Sequence, residues 1–373
     1  MKMKRIILCF IFMFIFILPV SAEEADIYSE QYEISGAGEL EDALPDSTRE
    51  YFSEIGIDPK DPDWIDSISG ENVFKHIWEF IKTGAKTPLR AGAAILGIIL
   101  ITAAFSAVNE ESSVMTAAMY ACTLTAAAVI GIPIFESITA AVNATKALSV
   151  FMLSFIPLFA AVAAASGAAV TSVSMNSLLL LCAQGLSFLS SFVVLPLMGG
   201  YLAVGISSSV SPLLNRSGLA EGIKKIALWV LSFISMIFVG ILSLQTAVNS
   251  AADSLAMRTA KFILGSTVPI AGGALSEAVS TVTASMGLLK SSVGIYGVVA
   301  VSAIFLPIII ELLLWRIILT VCSFVSELFS VPKFSNTLKA VDMMLSVLIG
   351  IVLLSSAVFI ISLTVVVTFT KAS

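Results

Sequence analysis

Histidine is nearly missing from this chain: 373 residues contain one, His76. Cysteine is scarce, with four, and charged residues make up only 12% against about a quarter in ordinary soluble domains. Each shortage excludes something. The lone histidine lies outside the long apolar runs, so no Ser–His–acid set can form within them. Beside Trp78, His76 reads as a surface residue rather than a ligand or base. Cys9, Cys122, Cys182 and Cys322 lie in apolar stretches without CxxC or metal spacing, and read as small fillers of helix packing. There is no Walker A, no GxGxxG in a strand–helix context, no HExxH and no EF-hand loop. The residues support neither self-contained catalysis nor a cofactor, and no basic face offers itself to nucleic acid. Any energy used would come from a partner.

What is present is apolar. The hydrophobic share is 58% and the mean hydropathy is +1.01, which points to an all-α, polytopic helical membrane protein. Net charge is −6, and it is unevenly placed. Residues 23–90 carry 17 acids and 6 bases, whereas 91–373 carry 9 acids and 11 bases. The acidity therefore belongs to one short polar segment.

The N-terminus reads as a cleaved signal. Lys2, Lys4 and Arg5 precede an apolar core at 6–18, followed by Pro19 and the small-residue site Val20-Ser21-Ala22. Residues 1–22 are expected to be removed. Residues 23–86 are then an acidic exported segment, small for a core of its own and ending in an interfacial helix. Phe74, Ile77, Trp78 and Ile81 share one face of that helix. Residues 87–373 form the membrane domain.

Runs able to span occur at 89–108, 114–135, 147–165, 177–206, 226–248, 293–318 and 340–368. The 264–289 stretch is different, rich in Gly, Ser and Thr, with Pro269 and Glu277. It reads as a polar-lined span, a broken helix or a re-entrant hairpin. The expectation is about seven or eight spans. The 136–146 and 249–262 stretches read as amphipathic connections at a membrane face, with Asp253, Arg258 and Lys261 on the second one's polar stripe. A weak internal repeat pairs Pro157 with Pro269 and Pro196 with Pro307, at spacings of 39 and 38. It places halves at about 112–225 and 226–368, built on proline-broken or re-entrant helices. Positive-inside bias puts Arg216–Lys225 and Arg316–Lys339 in the cytoplasm, but leaves the parity of later spans open.

Glu311 sits in an apolar run four residues past Pro307. It is a candidate pore-lining or coupling residue, or else an interfacial partner of Arg316. Glu277, Pro269 and Pro307 join it as candidates for a polar path, with Glu277 also readable as a water-exposed loop residue. Asp253, Arg258 and Lys261 are candidates for membrane-face or partner contact, or ordinary anchors.

Ser243-Leu244-Gln245-Thr246-Ala247, Met257-Arg258-Thr259-Ala260-Lys261-Phe262, Val268-Pro269 and Val293-Gly294-Ile295 together resemble the stage III sporulation protein AE family of endospore formers. Ile156-Pro157-Leu158 and Leu195-Pro196-Leu197 agree with it, and the exported segment agrees least. The resemblance implies a polytopic protein of the mother-cell membrane around the engulfed forespore. It implies a permease-like or export-gate part in a secretion-like channel needed for late forespore gene expression. The partners implied are other stage III proteins, among them a secretion-type ATPase and ring-forming proteins, together with the lipid bilayer. Two other readings stay open: a stand-alone secondary transporter of a small solute coupled through Glu277 or Glu311, and a scaffold anchoring rings through the exported segment.

Overall fold

The computed structural model describes residues 25–61, 64–67, 70–107, 113–167, 169–210 and 272–369, with scattered positions between 222 and 259. The signal at 1–22 and most of the 226–248 run lie outside the described residues. The described secondary structure is helical throughout. Helices α1 (Ala25–Ser35) and α2 (Asp46–Ile55) are followed by a single turn, Trp64–Ser67. Helix α3 (Gly70–Gly84) precedes α4 (Lys86–Ala107) and α5 (Ser113–Ala165). Helices α6 (Ala169–Leu189) and α7 (Leu195–Val210) are joined by a π-helical turn, Ser190–Val194. Helices α8 (Gly272–Leu328) and α9 (Pro332–Phe369) complete the order.

Five helical stretches among the described residues are long and apolar enough to cross a membrane. The seven or eight expected spans are not reached there, and part of the reason is physical. The 114–135 and 147–165 runs are one continuous helix, with 136–146 inside it rather than a connection between spans. That stretch has no glycine to stop the helix; Glu136, Asn143 and Lys146 are exposed, while Ser137 and Thr145 are buried within the bundle.

Prolines do not break these helices in two. Pro133, Pro157 and Pro307 all lie inside unbroken helix. Pro133 forgoes one amide bond, to the carbonyl four residues earlier, and the helix continues through it. Pro196 differs from its expected counterpart Pro307. It follows the π turn, where the Leu195 amide bonds back five residues to the Ser190 carbonyl. Widening that turn relieves the ring's clash with the carbonyl four residues earlier. Pro269 is outside the described residues. The rest of the 264–289 stretch, from Gly272 on, is regular helix.

Cross-helix contacts fix the directions. Ser137 on α5 meets Glu311 on α8, and a Cβ on Gly297 of α8 would run into the Phe155 ring of α5. The two helices are therefore antiparallel, and glycine is required where they come closest. Gly84 lies against Glu311, and Gly92 against Ile318, so α3 and α4 run parallel to α8. Arg316 pairs with Asp342 and Ser323 with Ser335, which makes α9 antiparallel to α8. Ser172 donates to the Ala160 carbonyl, and Gly199 lies 3.6 Å from Phe135 on a built Cβ, so α6 and α7 descend along α5. The turn between α5 and α6 uses Gly167 at φ 94, the left-handed region that glycine enters without strain.

One end of the bundle, called lower here, thus holds the end of α4, the end of α7 and the α8–α9 turn at 329–331. The upper end holds α1, α2 and the α5–α6 turn. Helix α7 thus ends at the same end of the bundle as the α8–α9 turn, where Lys339 lies; Arg216 and Lys224 lie outside the described residues. In a background without native cysteines, Phe329→Cys and Glu30→Cys are expected to label from opposite sides of sealed vesicles. Labelling of both from one side would refute this arrangement.

Candidate functional site

Two polar features are built into the bundle. The upper one comes from the acidic segment. Its helices turn their acids outward, with Glu30, Glu33, Glu50 and Glu54 exposed. Tyr28, Gln31 and Tyr32 of α1 and Thr48, Phe52 and Ile55 of α2 recur at helical spacing and are buried. These side chains do not form a core alone. They join Phe151, Phe155 and Phe159 of α5 and Leu289, Val293 and Tyr296 of α8 in one cluster. The Phe52 and Trp64 rings meet Tyr296 edge-on at 5.3 and 6.4 Å. Each such buried side chain contributes roughly 1.5–3 kcal/mol.

The contact is keyed by serines of α8. Ser285 donates to Gln31 Oε1 at 2.8 Å. Tyr28 Oη lies 2.8 Å from the Pro59 carbonyl and 2.7 Å from Ser292 Oγ. Its one proton goes to the carbonyl, which can only accept. The Ser292 hydroxyl then donates to the phenol and accepts the Trp64 indole N–H at 2.8 Å. Burial pushes the Tyr28 phenol up to about 12, with nearby Asp61 and Asp58 adding to the shift. Tyr32 and Tyr51 are raised for the same first reason, desolvation.

The lower feature is a band of charge across the bundle. Glu311 Oε1 accepts the Ser137 hydroxyl at 2.6 Å, and Arg316 does not pair with it. Instead Arg316 forms a two-point pair with Asp342 at 2.8 and 3.2 Å, both side chains about a quarter exposed or less. The adjacent Trp315 indole N–H is buried with no partner among the described residues. Asp342 was not singled out from sequence. The criterion that flags Glu311, an acid inside an apolar run, applies to it equally. Tyr28, Trp64, Ser292 and Ser137 carry no sequence signal, because their roles exist only across elements.

The other candidates are dispersed. Pro307 is half-buried within α8, and Glu277 lies near the start of that helix. Arg258 is helical and exposed. Asp253, Lys261 and Pro269 lie outside the described residues. His76, expected at the surface, is half-buried between Glu54 and Glu79. These three are the described residues whose atoms are close enough to share a metal ion.

Removing the Ser292 hydroxyl deletes the hydrogen bonds it makes to the buried Trp64 indole and Tyr28 phenol. Ser292→Ala is expected to destabilise the docked segment by about 1–3 kcal/mol, read as faster proteolysis within 25–67 in detergent. Alkali should act on the same contact. The Tyr28 pKa is raised on docking, so the stabilisation is complete below about 10. It is lost as pH climbs toward about 12. Protease sensitivity of 25–67 should rise across that window, and an unchanged cleavage rate would show that the phenol is not buried.

A family model described as "Stage III sporulation protein AE (spore_III_AE)" matches residues 65–370. A curated relative, "Stage III sporulation protein AE" of Bacillus subtilis (strain 168), is 33% identical over 162 residues. That alignment covers 43% of this chain and 41% of the relative, so it spans about two-fifths of the relative's length. No solved structure matches the chain.

Proposed function

Because the chain belongs to the stage III sporulation protein AE family, we propose that it is a membrane-embedded, permease-like or export-gate component of a multi-protein channel between mother cell and forespore. The family description names a sporulation stage and no enzymatic activity. The channel, its late-gene role and its place in the mother-cell membrane are this reading's own content.

Membrane placement comes first. Going down α8 from Glu311 to Glu327 is sixteen residues, or ~24 Å of helix. Glu311 marks the upper edge of that layer, and Arg90 and the Arg316–Asp342 pair lie about five residues, ~7 Å, inside it. Glu327, Ser335 and Lys339 mark the lower, joined by the Ser335–Glu327 hydrogen bond and the Lys339–Glu327 ion pair. The layer approaches the ~30 Å hydrocarbon thickness, and α4 crosses it with Leu100, Ile101 and Phe105 exposed as lipid-facing residues are. Everything above Glu311 then stands outside the hydrocarbon, on the exported side. Phe74 and Trp78, both exposed, lie on α3 just above the upper edge, where headgroups would meet them.

The observation that carries the reading concerns the part above. At the height of Phe155 and Gly297, one flank of the bundle is the acidic collar of α1 and α2. At that height α6 exposes Val173 and Leu181 at 72% each. The collar carries acids suited to water, whereas the α6 face is strongly apolar. A neighbouring protein on α6, with an aqueous space beside the collar, would give each its medium. This weighs against the stand-alone transporter and for a multi-protein assembly. Within it, Glu311, Pro307, Glu277 and Pro269 are assigned to the polar path along α8 and its approach. Asp253, Arg258 and Lys261 are assigned to contacts at the membrane face. The other stage III proteins, including a secretion-type ATPase and ring-formers, are the proposed neighbours.

Co-purification of the tagged full chain from sporulating cells tests this. Recovery with ring-forming and ATPase partners is the expected result, together with failed late forespore gene expression on deletion. Recovery of the chain alone, with solute uptake by the purified protein in liposomes that Glu311→Gln abolishes, would establish the transporter instead.

A further inference from the structure

We propose that Glu54, His76 and Glu79 form a binding site for a divalent transition-metal ion, zinc in the first instance, which ties α2 to α3 on the exported side. Three ligands of two types suited to zinc converge here from two separate helices: an imidazole nitrogen and two carboxylates. Glu79 is one turn along from His76 on α3, so the two share a face. Glu54 comes across from α2.

The spacing is the main argument. His76 Nδ1 lies 3.4 Å from Glu54 Oε2 and 3.7 Å from Glu79 Oε2. The three ligand atoms all fall within 4.8 Å of one another. These separations exceed the hydrogen-bonding range of about 2.7–3.2 Å and are ion-pair distances. The His76–Glu54 separation matches the edge of a tetrahedral zinc site, about 3.3–3.4 Å for bonds of 2.0–2.1 Å, and the contact to Glu79 is a few tenths of an ångström longer. A small inward movement of Glu79 would complete three corners and leave the fourth for water.

The surroundings agree. The His76 side chain is 12% exposed, while Glu54 and Glu79 are 52% and 53% exposed, so the site opens to solvent on its carboxylate side. Tyr51 of α2 holds the imidazole by an edge contact at 5.3 Å and 87°, which fixes the ring with Nδ1 toward the acids. Among the described residues no lysine or arginine pairs with either acid. Lys82, one turn beyond Glu79, lies over the Trp78 ring at 5.7 Å instead. A neutral imidazole with two carboxylates leaves a charge of −2, which a divalent ion cancels. The ion would pin the collar to the helix that enters the membrane, reinforcing the contact made by Ser292. The proposal does not depend on the channel reading.

The test uses the full chain in detergent, purified through a histidine-free tag and dialysed against graded zinc, with bound metal counted by mass spectrometry. One zinc per chain is expected. His76→Gln and Glu54→Gln should each weaken binding roughly tenfold or more. Cobalt in place of zinc should give the strong visible absorption of a four-coordinate ion, lost in His76→Gln. Asp46→Asn, an exposed acid at the other end of α2, should change neither. Glu54→Gln alters a half-exposed group only, so it keeps the test valid should His76→Gln misfold on gel filtration or circular dichroism. Equal binding by the wild type, Glu54→Gln and whichever His76 variant folds would overturn the site. So would an equal loss in Asp46→Asn, which would mean that surface carboxylates collect the ion without a site.

Discussion

Helix length against bilayer thickness is the constraint on which the rest of the architecture depends. Helix α8 has 57 residues and α5 has 53, so each extends ~80 Å or more. The hydrocarbon core is about 30 Å thick and the whole bilayer about 40–45 Å. Neither helix turns back, so neither crosses twice. A large part of each must stand clear of the lipid. An apolar helix in water has to be covered, and the acidic segment supplies cover for one flank. Its sixty-odd residues bury Tyr28, Tyr32, Leu40, Leu44, Phe52, Ile55 and Trp64 against the projecting halves of α5 and α8. A segment too small for an independent core becomes stable by borrowing one.

The same constraint explains the polar chemistry. Serines on a membrane helix usually bond back to the turn below, as Ser291 does to Gly287 and Ser302 to Val298. Ser285 and Ser292 reach outward to Gln31, Tyr28 and Trp64. They lie where α8 is covered by protein, so a hydroxyl has partners other than its own backbone. Below, the charges gather at two heights, Glu311 with Arg316–Asp342 and Glu327 with Lys339. Between them lies the stretch richest in exposed apolar side chains, Ile317, Val321 and Phe324. Lipid sorts charge by height, and that sorting shows in the side chains although no bilayer is present.

The sequence made the class legible and the geometry only partly so. Low charge, long apolar runs and absent motifs led directly to a helical membrane protein. The family motifs at 243–262 and 268–295 led to the family that the 65–370 match bears out. Span boundaries were misread where hydropathy dips without a helix stop. Residues 136–146 carry Glu136 and Lys146, which look like an interface, yet nothing in them interrupts backbone hydrogen bonding. Proline was overread for a related reason. A proline costs one amide bond and a local clash, which the long helices absorb at Pro133, Pro157 and Pro307 and a π turn absorbs before Pro196. Glu311 reads from sequence either as a polar-path residue or as a partner of Arg316. At five residues' separation the two point to different sides of α8, and each finds its partner on another helix. The Arg316–Asp342 pair exists only across α8 and α9.

The direction of the chain carries further consequences. Helices α4, α6–α7 and α8 descend, while α5 and α9 ascend, so the α8–α9 turn, with Lys339 beyond it, falls at the lower end. With the acidic collar at the other end, the bundle has an electrostatic polarity along its axis: acid above, base below. That agrees with the positive-inside tendency once the exported segment is placed outside. It also accounts for Lys82, Lys86 and Arg90, which violate the tendency when counted by sequence alone. They sit on the α3–α4 helix at the height of Glu311, where its continuous backbone bonds through Ala85 carry the chain from collar to bilayer. There Lys82 lies over the Trp78 ring, 5.7 Å from its centroid. The helix that enters the membrane is thus held from above by the collar and from within by Gly84 and Gly92 against α8. The collar also packs directly on α5 and α8 through Tyr28, Phe52 and Trp64, so the exported side is coupled to the spans through these two helices as well as through α3–α4.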